Sequence, residues 1–200
     1  MRRIALALIA AAAVTSADAE TGLKVATFAG GCFWSMETDF DKVVGVTQTT
    51  SGYAGGHTPN PTYAEVGTGR SGHVESLQVT YDPKVVSYAQ LLDYYWHHVD
   101  IFDGEGQFCD KGDEYRPVVF VATPEEKAAA IAGKEKLEKT FNKPVAVRIL
   151  DAAPFTAAEV EHQDFHVKHP DYYARYRVGC RRDARIKEIW GQEQAAVATH

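Results

Sequence analysis

Two glycines ahead of a cysteine and two large aromatic rings, Gly30-Gly31-Cys32-Phe33-Trp34, constrain this chain's architecture more than any other stretch. Lys24 to Ala29 reads as a short strand, the glycines permit a tight turn, and Phe33, Met36, Phe40 and Val43 recur at helical spacing. The chain therefore passes from strand to helix at Cys32. Unpaired N–H groups and the positive end of the helix dipole favour a thiolate there, so the free-thiol pKa of about 8.5 is expected to fall toward neutrality. A small buried cysteine in a glycine turn fits the same stretch, since free Cys is among the most buried residue types.

The first residues read as an address rather than as fold. Arg2-Arg3 supply a positive start, Ile4 to Val14 is an apolar run too short to span a bilayer, and Ala17-Asp18-Ala19 fits a small-x-small cleavage site. Cleavage after Ala19 is expected, giving a periplasmic or secreted protein, and an uncleaved N-terminal anchor is the competing reading. Of 200 residues, 181 then remain (20–200), within the size of one domain with a full core. Removing Arg2, Arg3 and Asp18 leaves 19 basic and 26 acidic residues, a net of −7. No basic run with interleaved aromatics points to nucleic acid, and no later segment is long and apolar enough to cross a membrane. The Arg175 to Arg185 cluster is interrupted by Asp183 and suits a solvated face. A monomer is expected.

Three cysteines, Cys32, Cys109 and Cys180, would enter a compartment where disulfides form, and an odd count leaves one unpaired or reactive. A structural bridge with a spare thiol competes with a redox bridge. A chain of this size can bury a core without a staple, which favours the redox reading.

No internal repeat, low-complexity tract or linker divides the chain. Val43 to Tyr53 reads as a strand, Gly55 to Thr62 as a loop, and His73 to Tyr81 as a second strand ending at Asp82-Pro83. Ser87 caps a helix reaching His97, and Asp100 to Glu114 is a glycine-rich loop. Pro117 to Ala122 reads as a buried strand. A charged helix opened by Thr123-Pro124 follows to Phe141, and then a strand over Val145 to Leu150. The spacing predicts that a further helix starts over Thr156 to Lys168, with Thr156 as cap and Glu159 at its third position. Strands and helices mix without strict alternation, which favours an α+β layer of helices on a sheet.

Phase along the second strand puts Glu75, Leu77, Val79 and Tyr81 on one face, so a carboxylate shares the side of three core-like residues. A half-buried Glu75 has a raised pKa and can donate a proton at neutral pH, whereas a Glu reaching solvent past Gly72 would not. Asn60-Pro61-Thr62-Tyr63 and Asp110-Lys111-Gly112-Asp113-Glu114-Tyr115-Arg116 each place a phenol in a turn-rich segment. With ten tyrosines in the chain, composition alone singles out neither.

Taken together, Gly31-Cys-Phe-Trp34, Gly52-Tyr-Ala-Gly-Gly56, Asn60-Pro-Thr-Tyr63 and Gly72-His-Val-Glu75 resemble the peptide methionine sulfoxide reductases of the A type. The likeness continues through Tyr81-Asp82-Pro83, the Asp110 to Arg116 loop, and His162-Gln163-x-Phe165-x-x-Lys168-x-Pro170. It spans about residues 24–173, with Cys180 in the tail beyond. It implies a ferredoxin-like α+β sandwich with helices on a mixed sheet, and reduction of the S epimer of methionine sulfoxide, free or in oxidised proteins. By motif position, Cys32 is the nucleophile and Glu75 the acid beside the sulfoxide oxygen. Tyr63 and Tyr115 donate to that oxygen, Phe33 and Trp34 cradle the methyl group, and Asp110 helps order the site. A sulfoxide sulfur is electrophilic only when its oxygen is polarised or protonated, so a thiolate must be paired with an acid and fixed donors. Attack leaves Cys32 as a sulfenic acid, which a second thiol condenses with to give a disulfide.

At that step the chain departs from the commoner family pattern, in which Gly-Tyr-Cys follows Lys-x-x-Pro. Here Asp171-Tyr172-Tyr173-Ala174 follows, and Cys180 lies further on. Cys180 is expected to be the resolving cysteine, with Cys109 as the alternative. The resemblance implies no metal and no bound cofactor, and recycling by a thioredoxin-like dithiol protein. Three rival readings remain at this stage. One is a thiol hydrolase pairing Cys32 with His57 or His73, though no papain-like local signature is present. Another is a metal site on His162, His166 and His169, though without the Glu of a zincin helix. The third is a binding module caging a ligand among Phe33, Trp34, Tyr63 and Tyr115.

Overall fold

The computed structural model describes residues 22–191. The leader expected over residues 1–19 and the polar tail from Gln192 lie outside the described residues. In chain order the elements are strand β1 (Lys24–Ala29), helix α1 (Phe33–Phe40), β2 (Val46–Ala54), one-turn α2 (Tyr63–Val66), β3 (Val74–Tyr81) and α3 (Tyr88–Trp96). The short strands β4 (Gly106–Gln107) and β5 (Asp110–Lys111) and a 3₁₀ turn (Asp113–Tyr115) follow. Then come β6 (Val118–Val121), α4 (Pro124–Phe141), β7 (Arg148–Asp151), β8 (Phe155–Ala157), α5 (Phe165–Lys168), α6 (Pro170–Gly179) and α7 (Arg182–Trp190).

The main sheet has the order β7-β6-β1-β3-β2-β8. β3 lies antiparallel between β1 and β2, and β6 runs antiparallel on the other side of β1. With α1 linking β1 to β2 and α3 on the path from β3 to β6, this inner set is the split βαβ arrangement of a ferredoxin-like fold. α4 then returns the chain so that β7 pairs parallel with β6, which makes the sheet mixed, and β8 pairs antiparallel alongside the last residues of β2. The expected α+β class is the observed one.

Helices α1 and α3 are held to the sheet by aromatic packing. Phe28 of β1 is fully buried and stacks on Phe40 of α1 at 5.4 Å and on Tyr95 of α3 at 5.1 Å between ring centroids. Burying each such ring stabilises by about 2–3 kcal/mol. Local chemistry sets the helix boundaries. Ser87 and Gln90 form a reciprocal capping box, Thr123 accepts from the Glu126 N–H ahead of Pro124, and Asn142 in the left-handed region (φ 47°) ends α4.

The helix expected over Thr156 to Lys168 does not form. Phe155–Ala157 pairs with Ala54, Tyr53 and Gly52 as β8, and only Phe165–Lys168 is helical. A tertiary contact outweighs the local capping signal. Gln163 accepts the Ser51 N–H (2.9 Å) and donates to the Ser51 carbonyl (2.8 Å), continuing the edge of β2 with a side-chain amide. Asp164 then adopts a left-handed conformation (φ 52°) that breaks the helical path. β2 also begins at Val46 rather than Val43, whose carbonyl instead accepts the Val46 N–H in a turn.

Candidate active site

The strand-to-helix junction has no room for side chains at its glycines. A Cβ on Gly30 would lie 2.6 Å from both Met36 Sδ and Val99 Cγ1, and Gly31 has φ +81° with Gln107 Cβ only 2.6 Å from where its own would sit. The tight turn delivers Cys32 to the N-cap of α1, where its carbonyl accepts the Ser35 N–H at 3.1 Å. The first free N–H groups of α1 are divided between two acids. The Phe33 N–H donates to Glu75 Oε2 (2.9 Å), and the Trp34 N–H is directed at the Cys32 sulfur.

Cys32 is 7% exposed, and its thiol is pushed up, not down. Burial is the largest cause and the neighbouring Glu75 carboxyl the next, while the Tyr176 hydroxyl and the Trp34 N–H pull the other way without prevailing. The thiolate expected from the helix terminus alone is therefore corrected: the resting group is a thiol, because desolvation outweighs the helix N-terminus. Glu75 is only 3% exposed, deeper than its strand phase implies, with the start of α1 packed on its carboxyl through the Phe33 N–H. Burial pushes its carboxyl up to about 8 against the pull of the Phe33 N–H. At neutral pH it is a carboxylic acid and can donate.

Hydroxyls and rings surround this pair. The Tyr115 and Tyr63 hydroxyls hydrogen-bond each other, and both phenols are pushed up, by burial first and by Glu75 next, so they remain proton donors. Glu159 fixes this wall by accepting the Tyr63 N–H and the Tyr53 hydroxyl, each at 2.8 Å. Phe33 lies 6.4 Å from the Tyr63 ring and 5.3 Å from His162. Trp34 stacks on Phe165 at 3.7 Å and donates its indole N–H to His162 Nδ1 at 3.3 Å. Tyr176 donates to Asp110 Oδ2 at 2.5 Å while its oxygen also meets the Cys32 sulfur, so it stands between the thiol and a carboxylate. Cys109 and Cys180 are joined in a disulfide with Cα atoms 4.8 Å apart, and Cys32 is free.

A family model described as peptide methionine sulfoxide reductase matches residues 24–194. The chain belongs to the peptide methionine sulfoxide reductase family. It is similar to the enzyme MsrA of that name from Bacillus licheniformis, at 45% identity over 172 residues, covering 85% of this chain and 95% of the relative. Among solved structures it resembles Mxr1 from Saccharomyces cerevisiae in reduced form (TM-score 0.72, 29% identity, 76% of this chain and 88% of that one). It also resembles methionine sulfoxide reductase A of Corynebacterium diphtheriae (TM-score 0.67, 32% identity, 76% and 77%). The activity of this family member is the reduction of methionine sulfoxide by cysteine and disulfide chemistry.

The fold of this reductase brings Cys32, Phe33, Trp34, Tyr63, Glu75, Asp110 and Tyr115 into one region, and Tyr176 links that region to α6. Two of the rival readings meet different surroundings. His73 accepts the Gly56 N–H on Nδ1 and holds the Thr58 carbonyl with Nε2, so both nitrogens are engaged by the loop. Among the described residues no metal-ligand cluster includes His162, His166 or His169.

Four residues of this site escaped the sequence reading. Tyr53 stood in the Gly52 to Gly56 motif and in a strand, and Glu159 at a helix start, neither with a role in the site. Tyr176 lies one helical turn before Cys180, whose N–H donates to the Tyr176 carbonyl at 2.9 Å, and that spacing was the available signal. Arg182, 2% exposed, donates to the Gly30 carbonyl (3.1 Å) and the His98 carbonyl (2.7 Å), tying α7 to the turn before the nucleophile.

Proposed function

We propose that this reductase repairs the S epimer of methionine sulfoxide in exported proteins and also reduces the free amino acid. The observation that carries the reading is a free thiol and a neutral buried carboxyl sharing the N-terminus of α1. Glu75 protonates the sulfoxide oxygen while the Tyr63 and Tyr115 hydroxyls donate to it, and Phe33 and Trp34 receive the methyl group. The Cys32 sulfur attacks the sulfoxide sulfur as its own proton passes toward Tyr176 and Asp110. Collapse transfers oxygen: sulfoxide and Cys32 thiol become methionine and Cys32 sulfenic acid.

Cys180 then condenses with the sulfenic acid, forming a Cys32–Cys180 bond and releasing water. Cys109 attacks the Cys180 sulfur, which frees Cys32 as a thiol and leaves a Cys109–Cys180 bond. The pairing of Cys109 with Cys180 beside a free Cys32 supports this last step. An external dithiol, in this reading a thioredoxin-like protein, reduces that bond and becomes a disulfide itself. No prosthetic group takes part. The protein acts as a monomer in a periplasm or outside the cell, a reading supported by the Arg2-Arg3 start, the apolar Ile4 to Val14 run and the Ala17-Asp18-Ala19 pattern.

Both epimers of a methionine sulfoxide peptide, offered with dithiothreitol, test the chemistry. Turnover is expected for the S form alone and is lost in Cys32→Ser, whereas turnover of the R form would overturn the assignment. Mass mapping after one turnover in Cys109→Ser is expected to yield a Cys32–Cys180 peptide. An intramolecular disulfide persisting in Cys180→Ser transfers the resolving role to Cys109. N-terminal sequencing of the exported protein should begin at Glu20.

A further inference from the structure

Reduction of the Cys109–Cys180 bond leaves two thiols held side by side by the fold, with a carboxylate next to them. The two sulfurs and one Asp110 oxygen all lie within 4.8 Å of one another. We infer that Cys109, Cys180 and Asp110 of the reduced protein form a binding site for one zinc-class divalent cation, and that the disulfide form does not bind it.

The geometry around these atoms resembles a built ligand set. Tyr176 occupies Asp110 Oδ2, so Oδ1 is left on the side of Cys109, 3.6 Å from its sulfur. A hydrogen bond on one carboxylate oxygen that turns the other toward a metal is how outer residues orient ligands. Cys180 is fixed at the end of α6 by its N–H bond to the Tyr176 carbonyl, so the same helical turn that orients Asp110 through the Tyr176 hydroxyl also holds Cys180. Metal–sulfur bonds of about 2.3 Å and metal–oxygen bonds of about 2.1 Å in a tetrahedron put ligand atoms roughly 3.5–3.8 Å apart, inside that envelope. Two thiolates and one carboxylate suit a borderline-soft d¹⁰ cation and leave a fourth position for water. A cleft of about 460 Å³ bordered by Cys109, Cys180 and Phe108 gives access. The cations at its mouth are already paired, Lys111 with Asp103, Arg185 with Asp100 and Arg181 with Glu188, so none opposes entry unscreened.

Binding exchanges protons for metal: two thiols and one dication give a dithiolate complex and two protons, with no change of oxidation state. The disulfide has lost both thiolate donors. Metal occupancy therefore reports the redox state of the pair, and a bound cation removes both thiols from the reach of Cys32. The binding itself needs no sulfoxide and does not depend on the order of the thiol steps proposed above.

The test uses the full exported chain, reduced with a phosphine rather than a thiol, freed of reductant without oxygen, and titrated with Co²⁺ alone and then Zn²⁺. One equivalent of Co²⁺ with sulfur-to-metal charge-transfer absorption, displaced by Zn²⁺ with proton release, is expected. Cys32→Ser retains this signal, and Asp110→Asn weakens binding by about 10–100-fold. The disulfide form and the Cys109→Ser/Cys180→Ser double variant show none. Absence of the band in the reduced parent, its equal appearance in the disulfide form, or its survival in the double variant overturns the proposal.

Discussion

Replacing Glu75 with Gln exchanges the neutral carboxyl for an amide of the same shape that still accepts the Phe33 N–H but cannot ionise. In the parent, the folded carboxyl titrates at about 8 against a reference of 4.5 for the unfolded chain, a raised value caused first by burial. The unfolded state therefore releases its proton while the native state keeps it. The associated stability is fully present below about pH 4.5 and is lost as the pH rises to about 8, a total on the order of 5 kcal/mol at 1.36 kcal/mol per unit. By pH 7 roughly 3 kcal/mol of this is gone. Urea unfolding of the two disulfide-intact proteins across that range measures it. The variant's unfolding free energy relative to the parent should climb by about 1.4 kcal/mol per pH unit from pH 5 to pH 7.5 and level off above pH 8. Its turnover at pH 7 should fall by about 10²–10⁴, the usual worth of a general acid. A stability difference that is flat with pH would refute the argument, because it would mean that Glu75 is ionised in the native protein.

Other perturbations follow from the same contacts. Tyr176→Phe removes the hydroxyl that lowers the Cys32 thiol and holds Asp110, so iodoacetamide alkylation of Cys32 in the reduced protein should slow by about 10-fold or more at neutral and mildly alkaline pH, one charge-assisted hydrogen bond being worth about 1.5–3 kcal/mol. Arg182→Met strands the Gly30 and His98 carbonyls and leaves buried Asp39, 3.6 Å from the guanidinium, with less compensation; urea unfolding should register a loss of about 3–5 kcal/mol. Gly31→Ala forces a side chain into a left-handed turn already filled by Gln107, and should cost about 1–3 kcal/mol in the same assay while lowering turnover.

The legible parts of this molecule were those where backbone chemistry and side-chain period agree. The Gly30-Gly31 turn, the cap at Ser87 and the inward phase of Glu75 each follow from neighbours within a few positions. The Phe155 to Lys168 stretch misled because Thr156 and Glu159 carry a good local capping signal, while Gln163 satisfies the distant edge at Ser51 and Glu159 reaches Tyr53 and Tyr63. The thiol's direction of titration was equally hidden. A helix N-terminus is visible in sequence, but the burial that outweighs it comes from tertiary packing, which brings Glu75, Asp110 and Tyr176 to the same sulfur. Arg182 matters through partners more than eighty positions away, and Tyr176 meets Asp110 sixty-six positions back, so beyond its one-turn spacing from Cys180 no local pattern revealed either.

Arg182 and the carbonyl of Gly30 are 152 positions apart, and Tyr176 belongs to the same late segment. A ribosome working at about 5–20 residues per second leaves a lag of roughly 8–30 s between making the nucleophile and making the groups that shield and anchor it. Throughout that interval Cys32 lacks both the Tyr176 hydroxyl beside its sulfur and the Arg182 anchor on its turn. A chain ending before the last helices would keep the sulfhydryl and lose both contacts.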